Sequence, residues 1–187
     1  MEITLTISKD DVMREVAVTT AYTGAKMDKD ENALQRISTV DEDESHLERF
    51  WEESRADLSQ ELIGLVSFEG MTTDGTGIAD PTHPVNPDPG DPASPASPAN
   101  SDNTGSATVT QRYELRLDVS KSFDKALLPS MGSSLFSYFV QSVTAKWYVY
   151  TNKEEAGAYA DKAQTLLDDI HRKAVYKKKP MRPVYDD

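Results

Sequence analysis

Ile3, Leu5 and Ile7 alternate with Thr4 and Thr6, the two-residue period of a strand with one face buried. The period then changes. Ser8 is placed to cap a helix, with Asp11 three residues on completing a capping box, and Val12 and Val16, joined by Met13, give that helix an apolar face. The pattern fades in "TTAYTGAKM", where β-branched residues and Gly24 weaken a helix. Residues 28–42 read as an acidic loop with one amphipathic turn around Leu34 and Ile37. A clearer helix is expected over 44–64, where Leu47, Phe50, Trp51, Leu58, Leu62 and Leu65 recur at helical spacing and Asp43 or Ser45 can cap the start.

"LVSFEGM" and "ATVTQRYELRLDVS" bracket a different kind of sequence. Val109, Tyr113, Leu115, Leu117 and Val119 follow a period of two apart from the Gln111 position, so a strand is expected there, with 64–72 as a candidate hairpin partner. The stretch between them, "DPTHPVNPDPGDPASPASPAN", holds 7 of the 10 prolines. Proline removes amide donors and fixes φ, which forbids a helix or an interior strand. A long insertion at a loop tip costs little stability. No flanking arginine suits it as an SH3-type ligand. The fold resumes with a core helix expected over 132–150, carrying Phe136, Phe139, Val140, Val143, Trp147 and Tyr150, with Pro129 and Gly132 separating it from a weaker turn at 122–128. Thr151 can cap a last helix, with Glu154 answering it, and Tyr159, Ala163, Leu166, Leu167 and Ile170 form its stripe. So short a connection makes the last two helices antiparallel.

The fold class these elements define is mainly α: a small antiparallel helical bundle with a short β-hairpin carrying a long Pro-rich loop, and an extended C-terminal arm. The expected divisions are 1–68 for the N-terminal strand and helices, 69–111 for the inserted loop, 112–176 for the strand and helical hairpin of the same bundle, and 177–187 for the arm. Setting aside about 40 residues of insertion leaves roughly 140 for one modest core.

Composition narrows the chemistry. The absence of cysteine excludes disulfides, thiolate metal sites and a catalytic thiol. The N-terminus lacks the basic and apolar regions of a signal peptide, and no window approaches about 18 apolar residues, so a soluble protein made in a cytoplasm is expected. His46, His83 and His171 show no ligand spacing; His171 beside Asp168 and Asp169 is at most a weak cluster by residue type. There is no phosphate-binding loop, dinucleotide fingerprint or nucleophile elbow, and "GMTTDG" falls in a polar turn. Glu48, Glu52 and Glu53 beside Arg49 and Arg55 read as helix-supporting pairs. Trp51, Phe136, Phe139, Trp147 and Tyr150 read as core more than as a ligand pocket. No catalytic residue, cofactor or metal is expected, and a binding or assembly protein is.

Charge is divided along the chain. The formal net charge is -12, and Asp28 to Glu61 holds 12 acids against 4 bases, yet Arg172 to Arg182 holds 6 bases and no acid. Three readings of that basic run compete. Lysines suit the negative end of a helix dipole. Lys173, Lys177, Lys178, Lys179 and Arg182 form a plausible phosphate-contact set for a nucleic-acid-associated module, against which the acidic body stands. A basic arm can also lie on the acidic face of an identical neighbour, a heterologous contact that closes a ring. Tyr176, Met181 and Tyr185 add apolar anchors, and Pro180 and Pro183 lower the entropy lost on docking. The expected docking arm is therefore Tyr176, Lys177, Lys178, Lys179, Pro180, Met181, Arg182, Pro183 and Tyr185.

The order of segments, "SKDDVMREV", "HLERFWEESRADLSQEL", an excursion, "FSYFVQSVTAKWYVYTNKEEA" and a last helix with a trailing arm, resembles the head–tail connector (head-completion adaptor) proteins of tailed phages. "VTAKWYVYTNKEEA" is the most reminiscent piece, and the wording is also similar to uncharacterised phage or prophage proteins of gut Bacteroidetes. The resemblance covers roughly residues 8–65 and 122–185 and lies in architecture. The Pro-rich insertion and the N-terminal strand depart from it. It implies a ring, dodecameric by that likeness, stacked under a portal protein, with the arm reaching the portal or a neighbouring subunit and a further neck or tail ring protein beyond. DNA would pass an acidic wall without specific binding, no membrane would be involved, and the protein would reside in the virion neck after assembly in the host cytoplasm. Another neck or tail component is the nearest rival.

Overall fold

The computed structural model of the chain describes residues 1–27, 32–40, 43–74 and 110–178. Strand β1 is Glu2–Ser8, and its alternation is as the side chains dictate: Ile3, Leu5 and Ile7 are buried, with Thr4 and Thr6 exposed. Helix α1, Lys9–Lys26, follows without a break. Ser8 Oγ accepts from the Asp11 amide at 3.2 Å, satisfying one orphan donor of the first turn. The helix does not fade where expected. It runs through Gly24 because Thr20 and Gly24 lie on the buried face, where the backbone of α2, Ala33–Ile37, comes within reach. In α2, Ala33 and Ile37 are buried and Leu34 is exposed.

Helix α3, Glu44–Glu61, buries Leu47, Phe50, Trp51, Ser54 and Leu58. Asp43 does not cap it through its side chain; Oδ2 instead accepts from the Val40 amide at 3.0 Å. The chain reverses through Gly64, whose φ of 85° lies where only glycine is unstrained. Strand β2, Val66–Asp74, and strand β3, Thr110–Asp118, form the antiparallel hairpin and reach somewhat into the stretch assigned to the excursion. Val109 lies outside the described residues. The sheet order is β1-β3-β2, all antiparallel, so β3 is central and joins chain ends far apart in sequence. Tyr113, Leu115 and Leu117 of β3 share the buried face with the β1 residues. On the outer face Phe68 lies across Gly70, and the Arg116 guanidinium stands 4.8 Å from its ring.

A 3-10 turn, Lys125–Leu127, leads into α4, Leu128–Thr151. Pro129 therefore starts this helix and does not separate it from the preceding turn, because the first turn has no intrahelical use for the missing amide. Helix α4 is the hub and buries residues around most of its circumference. Trp51 stacks on Phe139 at 4.2 Å, and Tyr113 and Tyr138 meet Phe139 edge-on, which joins α3, α4 and the sheet in one aromatic cluster. A buried polar seam sits beside it: Ser54 Oγ bonds the Phe50 carbonyl and Ser142 Oγ, and the Tyr138 hydroxyl donates to the Ser54 carbonyl. Helix α5, Lys153–Val175, returns antiparallel to α4; Tyr148 meets Tyr159 near the turn, and Lys173 donates to Ser130 at the far end. Asn152, not Thr151, is the residue before α5, and Thr151 Oγ1 donates back to the Trp147 carbonyl.

Candidate docking surfaces

The interior uses its charges to join elements. Lys9, almost fully buried, is held by the Glu48 carboxylate and by Gln111 Oε1 at 3.1 Å, linking α1, α3 and β3. Glu48 is thereby taken from the helix-supporting pairs expected of it, while Arg49 keeps Glu53 at 3.4 Å and Arg55 keeps Glu52 at 2.7 Å. Arg55 Nε also bonds Glu69 at 2.8 Å, and Ser59 donates to the same carboxylate, fixing α3 on β2. Burial, and then the charge of Glu69, pushes the neighbouring Tyr113 phenol far above its ordinary range.

Among the described residues, no group of three His, Cys, Asp or Glu side chains could hold a metal ion, and no helix is long and apolar enough to cross a membrane. His46 is exposed, His171 is half-buried, and His83 lies outside the described residues. Of the aromatics read as core, Trp51, Phe139 and Trp147 are buried and Phe136 is half-buried. Tyr150 is not: it is 69% exposed and stacks on Phe50 from outside, with ring centroids 5.9 Å apart.

The basic run is divided by the structure. Lys173 belongs to the bundle: it pairs with Asp169 and donates to Ser130 at 2.7 Å, which removes it from the phosphate-contact set. Hydrogen bonds from Lys173, Arg172 and Ser134 hold the Asp169 carboxyl below its ordinary value, against the opposing and larger single effect of burial. Tyr176, Lys177 and Lys178 are exposed. The Lys178 amide donates to the Ser122 carbonyl at 2.9 Å, and its Nζ stands 3.7 Å from Asp124, so the chain leaves the body against its own 120–124 turn. Lys177 is in no ion pair with a described residue. Lys179, Pro180, Met181, Arg182, Pro183 and Tyr185 lie outside the described residues.

The acids of α3 face elsewhere. Glu53, Asp57 and Glu61 are four residues apart and form one column along the helix. Asp57 meets Lys146 of α4 at 2.8 Å, and Glu61 has no ion pair among the described residues. Asp57 and Glu61 of the column, with Gln60, form one wall of a groove of about 540 Å³. Its floor is α4, with Tyr138, Ser142 and Ala145, and its other wall is α5, where Gly157, Ala160 and Ala163 keep the surface low. The sequence contains this signal in "EESRADLSQEL" and "EAGAYADKA", one as a period-four acid column and the other as small residues on a helix face. What it could not show is that two helices distant in sequence flank the same stretch of α4.

Comparisons with protein-family models, with curated proteins and with solved structures give no match to this chain.

Proposed function

We propose that this chain is a structural assembly protein, an adaptor that forms an oligomeric ring between the portal and the tail of a tailed phage. The observation that carries this reading is the separation of opposite charge on a body whose internal charges are already paired. The exposed bases Lys177 and Lys178 leave at the end of the α4–α5 hairpin marked by Ser122 and Ser130. The acid column meets α4 at Lys146, about 24 Å further along at 1.5 Å per residue. A basic pole and an acidic face so separated suit a head-to-tail contact between copies, and repetition of such a contact closes a ring. The mainly α fold agrees with the resemblance to head-completion adaptors, and an acidic surface beside a channel would let DNA pass without counterion-releasing contacts. The arm would dock on the portal or on a neighbouring subunit, and the protein would reside in the virion neck.

Light scattering on the full chain across a concentration series, alone and with a purified portal protein, tests this reading. Negative-stain images of the same mixtures are expected to show rings, and Lys177, Lys178 and Lys179 changed together to Glu are expected to abolish them. A chain that stays monomeric in both settings refutes it. A salt-dependent mobility shift with DNA, lost in the same variant, would instead favour a nucleic-acid module.

A further inference from the structure

The geometry points to the groove between α3 and α5 as the receptor for the C-terminal arm of a second copy of this chain. This rests on the reading of the arm as an assembly element and adds the surface that receives it. Three observations converge. The first is charge: the wall carries Asp57 and Glu61, with Glu53 a turn before them and Lys146 as the one base lining the groove, whereas the arm holds Lys177, Lys178, Lys179 and Arg182. The second is spacing. Acids four apart on a helix repeat about every 6 Å. Alternate residues of an extended chain, the state that Pro180 and Pro183 favour, repeat about every 6.6 Å. Lys177 and Lys179 therefore match the repeat of Asp57 and Glu61 in one register, one meeting Glu61, which has no ion pair among the described residues, and the other sharing Asp57 with Lys146. Lys178 lies between them and is held by its own chain at Ser122 and Asp124, while Lys177 is exposed.

The third observation is the shape of the α5 wall and the floor. Ala160 and Ala163 let an extended backbone approach closely, and Val149, half exposed at the groove, offers apolar surface. Met181 and Tyr185 follow the lysines at the same two-residue alternation and supply the side chains to cover it. A groove of about 540 Å³ holds a few such side chains, which suits a short anchored strand and not a whole domain. The body's own arm departs about 24 Å along α4 from the acid wall, so filling each groove from the next copy produces a directional chain of subunits.

The test places a photo-cross-linking p-benzoylphenylalanine at Met181 in the full chain and mixes heavy- and light-isotope preparations before irradiation. Mixed-isotope cross-links from position 181 to the Val149 and Ala156–Ala163 segments are expected. Asp57→Lys with Glu61→Lys is expected to weaken self-association about tenfold, and Lys177→Glu with Lys179→Glu on the same chain to restore it. Cross-links confined to one chain overturn the placement between copies. Association that depends on the arm lysines but cross-links to another surface overturns the groove and leaves the ring reading standing. Absence of any association or cross-link, both alone and with a purified portal protein, overturns both; absence in the chain alone with rings on the portal and no cross-link to the groove overturns the groove only.

Discussion

Gly24 offers a test of the packing in which the sign of the effect is the result. In an isolated helix, replacing glycine by alanine stabilises by about 1 kcal/mol, because alanine loses less backbone entropy on folding. At position 24 a methyl group would stand 2.8 Å from the Leu34 Cα, 3.2 Å from the Ala33 carbonyl oxygen and 3.3 Å from the Leu34 amide nitrogen. All three are backbone atoms, so no side-chain rotation relieves the contact, and α2 must move away from α1. Overpacking of this kind costs about 1–3 kcal/mol, which exceeds the propensity gain. Gly24→Ala is therefore expected to destabilise by about 1 kcal/mol. Gly132 in α4 is the control, since a methyl there meets nothing within 4 Å, and Gly132→Ala is expected to stabilise by about 1 kcal/mol. The variants differ by about 2 kcal/mol, which for a chain of this length corresponds to about 4–8 °C in Tm. Thermal and urea unfolding followed by circular dichroism read the difference. A Gly24→Ala protein as stable as the parent would refute the close approach of α1 and α2.

Asp169→Asn should remove about 1–2 kcal/mol at neutral pH by breaking charge-assisted bonds to Lys173 and Arg172. The carboxyl is held below its ordinary 3.8, so its contribution is present above that value and is lost as pH falls through the lower folded-state value; parent and variant stabilities should converge in acid, and a constant gap would contradict this. At the alkaline end, burial pushes Tyr148 up to about 12 and Tyr113 and Tyr138 further still. Folding stability from these phenols is complete below the ordinary 10 and is lost as pH rises through the raised values, so their ionisation should coincide with alkaline unfolding; a phenolate absorbance titration that ionises all 8 tyrosines with the fold intact would refute their burial. Phe139→Ala should cost about 3–5 kcal/mol and shift Trp51 emission to the red, because Phe139 is fully buried and stacks on that indole. A loss under about 1 kcal/mol would mean that the cluster is not packed as described.

Much of the architecture is legible in residues whose periodicity admits one reading. Ile3, Leu5 and Ile7, and Tyr113, Leu115 and Leu117, show which face of each strand is buried, because the strand period is two. They do not show that these two strands are neighbours, since that pairing joins Ile3 to Leu117 across most of the chain. Helix α3 begins where its apolar spacing indicates, without the side-chain cap expected of Asp43 or Ser45, and ends at Glu61, short of the expected 64. Helix α1 outruns its pattern because Gly24, unfavourable in an isolated helix, is required where α2 crosses. Tyr150 fits the apolar stripe of α4 by spacing and yet is exposed, because the helix ends there and Phe50 covers only one side of its ring. The burial of Lys9 is not legible in its own segment, because it depends on Glu48 and Gln111, which come from two other elements. The basic C-terminal run is legible in the sequence and the groove is not, because a run is a property of one segment and a groove belongs to three helices.

The distribution of paired and unpaired charge connects these points. A buried ion costs several kcal/mol unless compensated, so the burial of Lys9 demands a partner such as Glu48, and the half-buried pairs Arg55–Glu69 and Lys173–Asp169 likewise serve the fold; their presence says nothing about partners. Exposed charges carry no such demand, and an isolated surface pair contributes at most about 1 kcal/mol. Glu61 and Lys177 are in no ion pair among the described residues, yet each stands in a run of like charge, which costs a little through repulsion in the free protein. A contact between copies would relieve both repulsions at once. If that relief is the reason for the arrangement, raising salt should weaken self-association more than it lowers the unfolding midpoint of the bundle, because screening acts more on the exposed runs than on the partly buried pairs. Association that strengthens with salt would place apolar contacts, and not this charge complementarity, in control.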